Sequence, residues 1–140
     1  MNWKWIATIQ IIAAGIGTAC LAGYCLQQAM TPLRVFGLVL ALASLALWTA
    51  ARIQLGQSFS IAPKATALVT RGIYSKIRNP IYVFSATWIA GLALALGKPI
   101  ALLLLIPLIP MQAARARRES RVLEAKFGEE YREYRRKTLF

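Results

Sequence analysis

Apolar and polar residues fall in long blocks along this chain, not in the short alternation of a strand protein. Residues 5–26 form one charge-free apolar run. About 20 such residues let a helix cross a hydrocarbon core of ~30 Å, so the run predicts a spanning helix. Trp3, Lys4 and Trp5 stand in front of it as an interfacial anchor. A signal peptide would have a shorter apolar stretch followed by a small-x-small cleavage site, and neither condition is met. A polar turn over 27–34, with Thr31-Pro32, leads into a second predicted span over 33–55, flanked by Arg34 and Arg52. The stretch 56–79 is too polar for lipid and too long for a plain connector, which marks it as a functional loop.

Residues 81–96 and 100–111 are apolar again, separated by Gly97-Lys98-Pro99. Each is short for an independent span. Pro107 and Pro110 interrupt the second, and proline removes backbone hydrogen bonds and bends a helix. The pattern predicts a helical hairpin whose second arm is kinked and runs on past the membrane surface. From Gln112 the chain is charged. Leu123, Phe127, Tyr131 and Tyr134 share one helical stripe there, and Gly128 is a candidate break. The expected architecture is a single all-α integral membrane domain over 1–140 with about four transmembrane helices. It divides into a two-helix anchor (1–55), a cytoplasmic loop (56–80), a hairpin (81–111) and a cytoplasmic, amphipathic helical tail (112–140).

Composition supports this reading. The chain is 58% hydrophobic and 16% charged, too little polar material to cover a soluble domain of 140 residues. The charge is strongly positive, with 17 Lys and Arg against 5 Asp and Glu. If four segments cross, all basic residues except Arg34 and Lys98 share the side of the 56–80 loop and the tail. The positive-inside rule then makes both termini cytoplasmic in a multi-pass protein of an inner or plasma membrane. This accounts for the basic excess without nucleic acid, for which the chain carries no reading module. The absence of histidine removes the usual metal ligand and general base, and no metal site is expected. Cys20 and Cys25 sit in one apolar run and read as small packing residues. Gly15, Ala19 and Gly23 form a small-residue stripe that would permit a homodimer through the first helix.

The candidate chemistry is at the door of the third helix, in the stretch RNPIY over 78–82. Asparagine is a favoured N-cap and proline a favoured first helical residue, so Asn79-Pro80 reads as a helix start. A helix start also offers free N–H groups and a positive dipole end. Arg78 adds charge, and Tyr74 and Tyr82 add aromatic surface. Glu119 stands just beyond the fourth helix among Arg115, Arg117, Arg118 and Arg121. It reads either as a solvated ion pair or as an acceptor for a ribose or an ammonium group.

Together LGQSFS (55–60), LVTRGIYSKIRNPIY (68–82), LALGKP and RARRESRVLEAKFGEEYREYRRKT (115–138) resemble the isoprenylcysteine carboxyl methyltransferase family. That family belongs to a wider group of membrane methyltransferases that includes phospholipid N-methyltransferases. The family pattern is Arg-His-Pro-x-Tyr at the third-helix entry, with two glutamates eight and seven residues before Phe-Gly. It falls here on Arg78, Asn79, Pro80 and Tyr82, and on Glu119 and Ser120 ahead of Phe127-Gly128. Asn79 therefore replaces the family histidine and Ser120 the second glutamate. Asn79 keeps hydrogen-bonding capacity but cannot accept a proton at neutral pH.

The resemblance implies S-adenosylmethionine as methyl donor. It implies Tyr74, Asn79, Pro80, Tyr82, Glu119, Glu124, Tyr131 and Arg135 around that cofactor, and Arg78 and Glu119 in catalysis. The acceptor would be a lipid-like or prenylated molecule entering from the bilayer, either an isoprenylcysteine carboxylate or a phospholipid amine. Two other classes compete. A small four-helix transporter would need an ionisable group within the membrane, and no Asp, Glu or His occurs in an apolar run. A non-catalytic scaffold of the same fold is compatible with the two departures from the pattern.

Overall fold

The long apolar runs fold as helices. A computed structural model describes residues 3–56 and 68–139. It contains α1 (Trp3–Leu26), α2 (Pro32–Leu55), α3 (Pro80–Ala95) and α4 (Leu105–Lys137). Two short 3₁₀ turns, Gly72–Ser75 and Pro99–Leu104, precede α3 and α4. Among the described residues there is no β-strand, only one isolated parallel bridge between Ile77 and Leu139. The side chains of Trp3 and Lys4, and the stretch 57–67 with Lys64 and most of LGQSFS, fall outside the described residues.

Three helical stretches are long and apolar enough to cross a bilayer: Trp5–Leu26, Pro32–Leu55 and the continuous Pro99–Lys137. The helix Pro80–Ala95 is shorter. Large apolar side chains face outward on every long helix, including Ile9, Ile12 and Ile16 of α1, Phe36 and Val39 of α2, and Leu103 and Ile106 before and in α4. In water such a surface would be an aggregation liability; in lipid it is the expected exterior. The protein is an all-α membrane protein.

Local chemistry sets the helix ends. Thr31 caps α2, its hydroxyl accepting from Arg34 N–H at 3.3 Å, and Pro32 takes the first helical position. At the other end of the hairpin, Gly97 adopts φ 66°. Its N–H donates to Leu94 O at 2.9 Å and Lys98 N–H donates to Ala93 O at 3.1 Å. This is a Schellman closure of α3, which requires a residue without Cβ at the left-handed position. In α4, Pro107 falls in the first turn, where no donor is needed. Pro110 is inside the helix, yet the backbone leaves helical dihedrals only at Gly128, with φ 53° and ψ −121°. The break in the tail thus falls at the glycine.

Packing is closest between α2 and α3, and it runs through small residues. Gly37, Ala41 and Ser44 are buried on α2, and Gly91, Ala93 and Ala95 on α3. A Cβ on Gly37 would meet Leu94 Cβ at 2.7 Å and Gly91 O at 2.8 Å. Without water to drive apolar surfaces together, helices in lipid gain from close backbone approach, which small residues allow. The stripe in α1 is different: a Cβ on Gly15 or Gly23 would have nothing within 4 Å. Helix α1 joins the bundle by polar contacts instead. Trp88 Nε1 donates to Thr18 Oγ1 at 3.1 Å, and the Cys25 thiol donates to Ala95 O at 3.3 Å.

Candidate active site

The site is built where α2 ends, α3 begins and α4 emerges. Gln54, in the last turn of α2, accepts from Ile73 N–H at 2.8 Å through Oε1. Gly72 sits at φ 63° with the Gln54 side chain crossing the space where its Cβ would stand. Only glycine satisfies both demands. This anchor buries Tyr74, which is 6% exposed. The tail closes the same turn from the other side. Arg78 N–H donates to Leu139 O at 2.9 Å and Leu139 N–H to Lys76 O at 2.8 Å. Tyr134 O–H donates to Tyr74 O at 2.7 Å.

Asn79 occupies the N-cap position of α3, and Pro80 its first turn, fully buried. The Asn79 side chain makes no capping hydrogen bond. Its ψ is 57°, whereas Thr31, which does cap, has ψ 155°. A capping side chain needs the extended backbone to reach the N2 or N3 donor. The position predicted from sequence is therefore right, but the capping bond is not formed.

One turn into α3, Tyr82 O–H donates to Glu119 Oε1 at 2.5 Å, and Arg115 Nε donates to the same oxygen at 3.3 Å. A short relay fixes the α3–α4 register beside it: Gln112 Nε2 donates to Ser85 Oγ at 3.0 Å, and Ser85 Oγ to Tyr82 O at 3.0 Å. Tyr74 is the centre of the group, within electrostatic reach of Tyr134, Arg52, Glu119 and Tyr82. Burial, first of all, holds its phenol well above the usual tyrosine range, so it stays protonated. Three polar atoms here are buried and have no hydrogen-bond partner: Tyr74 Oη, Tyr131 Oη and Arg78 Nε. Tyr131 is 0% exposed. Buried groups of this kind ordinarily find partners, so each of the three is a candidate contact for a polar ligand.

Of the residues singled out from sequence, Tyr74, Arg78, Asn79, Pro80, Tyr82, Glu119 and Tyr131 sit on the elements that meet here. Glu124 and Arg135 are placed differently. Glu124 accepts from Arg132 Nε at 2.9 Å and pairs with Arg135 Nη1 at 3.9 Å, within an exposed ion-pair group that also holds Glu129 and Arg136. Four residues of the site were not singled out: Arg52, Gln54, Arg115 and Tyr134. Arg115 was legible, standing four residues before Glu119 on one helix face. Gln54 and Arg52 were not, because nothing local ties the end of α2 to a turn some twenty residues on.

Tyr134 gives a direct test of the clasp. Burial, with a smaller contribution from Tyr131, pushes its phenol up to about 12. A raised folded value favours the protonated form, so this contribution to stability is full below pH ~10 and lost as pH rises towards about 12. Tyr134→Phe leaves the buried Tyr74 carbonyl without its donor, at a cost of ~1–3 kcal/mol. We expect a lower unfolding temperature at pH 7. We also expect a smaller further loss between pH 10 and 12 than in the wild type, read by a thermal-shift scan in detergent.

A family model described as phospholipid methyltransferase matches residues 26–130. The chain belongs to the phospholipid methyltransferase family. It is also similar to the protein-S-isoprenylcysteine O-methyltransferase of Schizosaccharomyces pombe, at 37% identity over 95 residues. That alignment covers 64% of this chain but only 40% of the relative, so the chain spans well under half of that protein.

Proposed function

We propose that the protein transfers a methyl group from S-adenosylmethionine to a lipid-like acceptor in the bilayer, a carboxylate of isoprenylcysteine type. The observation that carries the reading is the buried group around Tyr74, with its three unpartnered polar atoms at the α2–α3–α4 junction. A nucleoside bearing an amino-acid tail has many donors and acceptors, and Tyr74 Oη, Tyr131 Oη and Arg78 Nε offer it partners of both kinds. The residues present therefore fit this cofactor. When bound, it supplies a sulfonium-activated methyl group, which an acceptor lone pair takes as the carbon–sulfur bond breaks.

The chain's residues bind, orient and exclude water. Tyr82 and Arg115 hold Glu119 aimed, and its carboxylate would receive the ammonium or ribose hydroxyls. Asn79 and Pro80 would form the floor beside Tyr131, and Arg78 would meet an anionic group. No histidine stands ready to take a proton, and the site glutamate is already engaged. A carboxylate acceptor suits such a site because it reacts deprotonated and releases no proton. An amine acceptor would first have to lose one. Catalysis then rests on positioning, which can lower a barrier by ~7–11 kcal/mol. The short α3, ~24 Å long at 1.5 Å per residue, keeps its entry turn near the lipid boundary, where an apolar acceptor can arrive sideways. In this reading the chain is multi-pass, with the loop, the tail and both termini in the cytoplasm.

The test combines calorimetry with a methyl-transfer assay on detergent-purified protein. We expect saturable binding of S-adenosylmethionine and transfer of labelled methyl to a prenylcysteine analogue. The absence of any heat or thermal shift at millimolar cofactor would defeat the proposal. Transfer to phosphatidylethanolamine in place of the carboxylate would move the reading to N-methylation.

A further inference from the structure

The arginines of α4 are unevenly matched. Arg132, Arg135 and Arg136 pair with Glu124 and Glu129. Arg115 Nε reaches Glu119 at 3.3 Å. Arg117, Arg118 and Arg121 lie between these two groups, and among the described residues none of the three is in an ion pair. All three are exposed. They share one face of the helix with Ala114 and Ala125, which are exposed too. The opposite face is the one that packs: Gln112 Nε2 donates to Ser85 Oγ and Glu119 accepts from Tyr82. The arginine face therefore points away from the bundle.

The same helix is apolar on its outside just before this point. Ile106, Ile109 and Met111 are exposed, a surface suited to hydrocarbon. Among the described residues α4 exposes no large apolar side chain beyond Met111. The lipid boundary thus falls soon after Met111. Arg117 follows ~9 Å along the axis at 1.5 Å per residue, close to the headgroup layer. Side chains on a helix tilt towards its N-terminus, so these guanidinium groups reach back towards the bilayer. Met111, Ala114 and Arg118 succeed one another at helical spacing, which makes the apolar and the basic surface continuous. Three like charges this close repel one another unless an anion faces them. Guanidinium groups are well matched to phosphate oxygens. A zwitterionic lipid brings its own cation beside its phosphate, which the cluster repels; an anionic lipid does not.

We infer that the outward face of α4 at Arg117, Arg118 and Arg121 binds an anionic phospholipid, its phosphate on the arginines and its acyl chain along Met111. The opposite face of the same turns carries Arg115 and Glu119. The bound lipid therefore fixes the depth at which α4 presents them. Its binding is independent of what the protein methylates.

The experiment uses the full chain in neutral detergent, titrated separately with short-chain phosphatidylglycerol, phosphatidylcholine and inorganic phosphate. Bound lipid is read by native mass spectrometry and stability by thermal shift. In the wild type, phosphatidylglycerol binds at least roughly tenfold more tightly than phosphatidylcholine and raises the unfolding temperature. Salt at ~1 M, where the Debye length is ~3 Å, removes most of this preference. The triple variant Arg117→Gln/Arg118→Gln/Arg121→Gln loses at least roughly tenfold in phosphatidylglycerol affinity and melts like the wild type in lipid-free detergent. Arg132→Gln/Arg136→Gln removes two paired arginines and keeps the wild-type preference. Equal wild-type affinity for the two lipids overturns the inference, and that measurement needs no variant to fold. An unchanged preference in the triple variant overturns it as well, because the lipid then sits elsewhere. Inorganic phosphate that binds as tightly as phosphatidylglycerol makes the face a general anion site and also defeats it.

Discussion

Glu119→Gln should lower kcat/KM for methyl transfer by one to two orders of magnitude while the protein stays folded. The carboxylate accepts from Tyr82 Oη at 2.5 Å and from Arg115 Nε at 3.3 Å on a single oxygen. Glutamine keeps the shape and one acceptor but removes the charge. Hydrogen bonds to a charged partner are worth ~1.5–3 kcal/mol, and each 1.36 kcal/mol is about tenfold in rate or affinity. The variant also leaves Arg115 and its neighbours with no counter-charge, which should weaken S-adenosylmethionine binding in calorimetry by a similar factor. Tyr82→Phe should do less, because Glu119 keeps both its charge and Arg115. Turnover by Glu119→Gln at the wild-type rate would remove Glu119 from the site.

The largest structural effect should come from a single methyl group far from the chemistry. Gly91→Ala puts a Cβ 2.6 Å from Ala41 N, 2.9 Å from Ala41 Cα and 2.9 Å from Gly37 O. All three are backbone atoms of the facing helix α2, so no side-chain rotation relieves the clash. Overpacking costs ~1–3 kcal/mol or more, and here the high end applies. The better helix propensity of alanine returns only ~1 kcal/mol. The net is a loss of ~2 kcal/mol, a drop of roughly 4–8 °C in unfolding temperature for a chain of this size. Gly17→Ala is the matched control. Its Cβ would have nothing within 4 Å, so propensity alone acts and the variant should be as stable as the wild type or slightly more so. Activity of Gly91→Ala should fall as well, since α2 brings Arg52 and Gln54 to the site that α3 opens with Tyr82. Equal melting of the two variants would show that α2 and α3 do not pack through Gly91.

The two predictions differ in how far they were legible in the sequence. Glu119 and Tyr82 stood in recognisable patterns, and Arg115, though not singled out, stands four residues before Glu119 on the same helix face. Gly91 carried no mark, since a glycine inside an apolar run is equally compatible with facing lipid or a partner helix. The small-residue stripe that did draw notice, on α1, has open space beside it. The close approach is made by Gly37, Ala41 and Gly91 instead. Small residues permit close approach but do not say which helix approaches, because that depends on how the loops fold back. Asn79 shows the same limit on a smaller scale. Residue type and the following proline located the N-cap, but the turn's closure by Leu139 and Tyr134 belongs to the tertiary structure, as does the ψ of 57° that leaves the cap bond unmade.

The sequence alone determined what local physics controls. Charge-free runs of membrane length must be helices, because unpaired backbone groups are too costly in lipid. Thr31-Pro32, Asn79-Pro80 and Gly97 must punctuate them, because φ and donor count are properties of the residue itself. Only the tertiary structure decided that Arg52 turns inward and that Tyr131 is enclosed. It also decided that a segment at 138–139 pairs with one at 76–78 and that Glu119 receives Tyr82. Each of these joins residues far apart in the chain. Their meeting is set by the register of α2 on α3 and of α4 on both, which no local periodicity encodes.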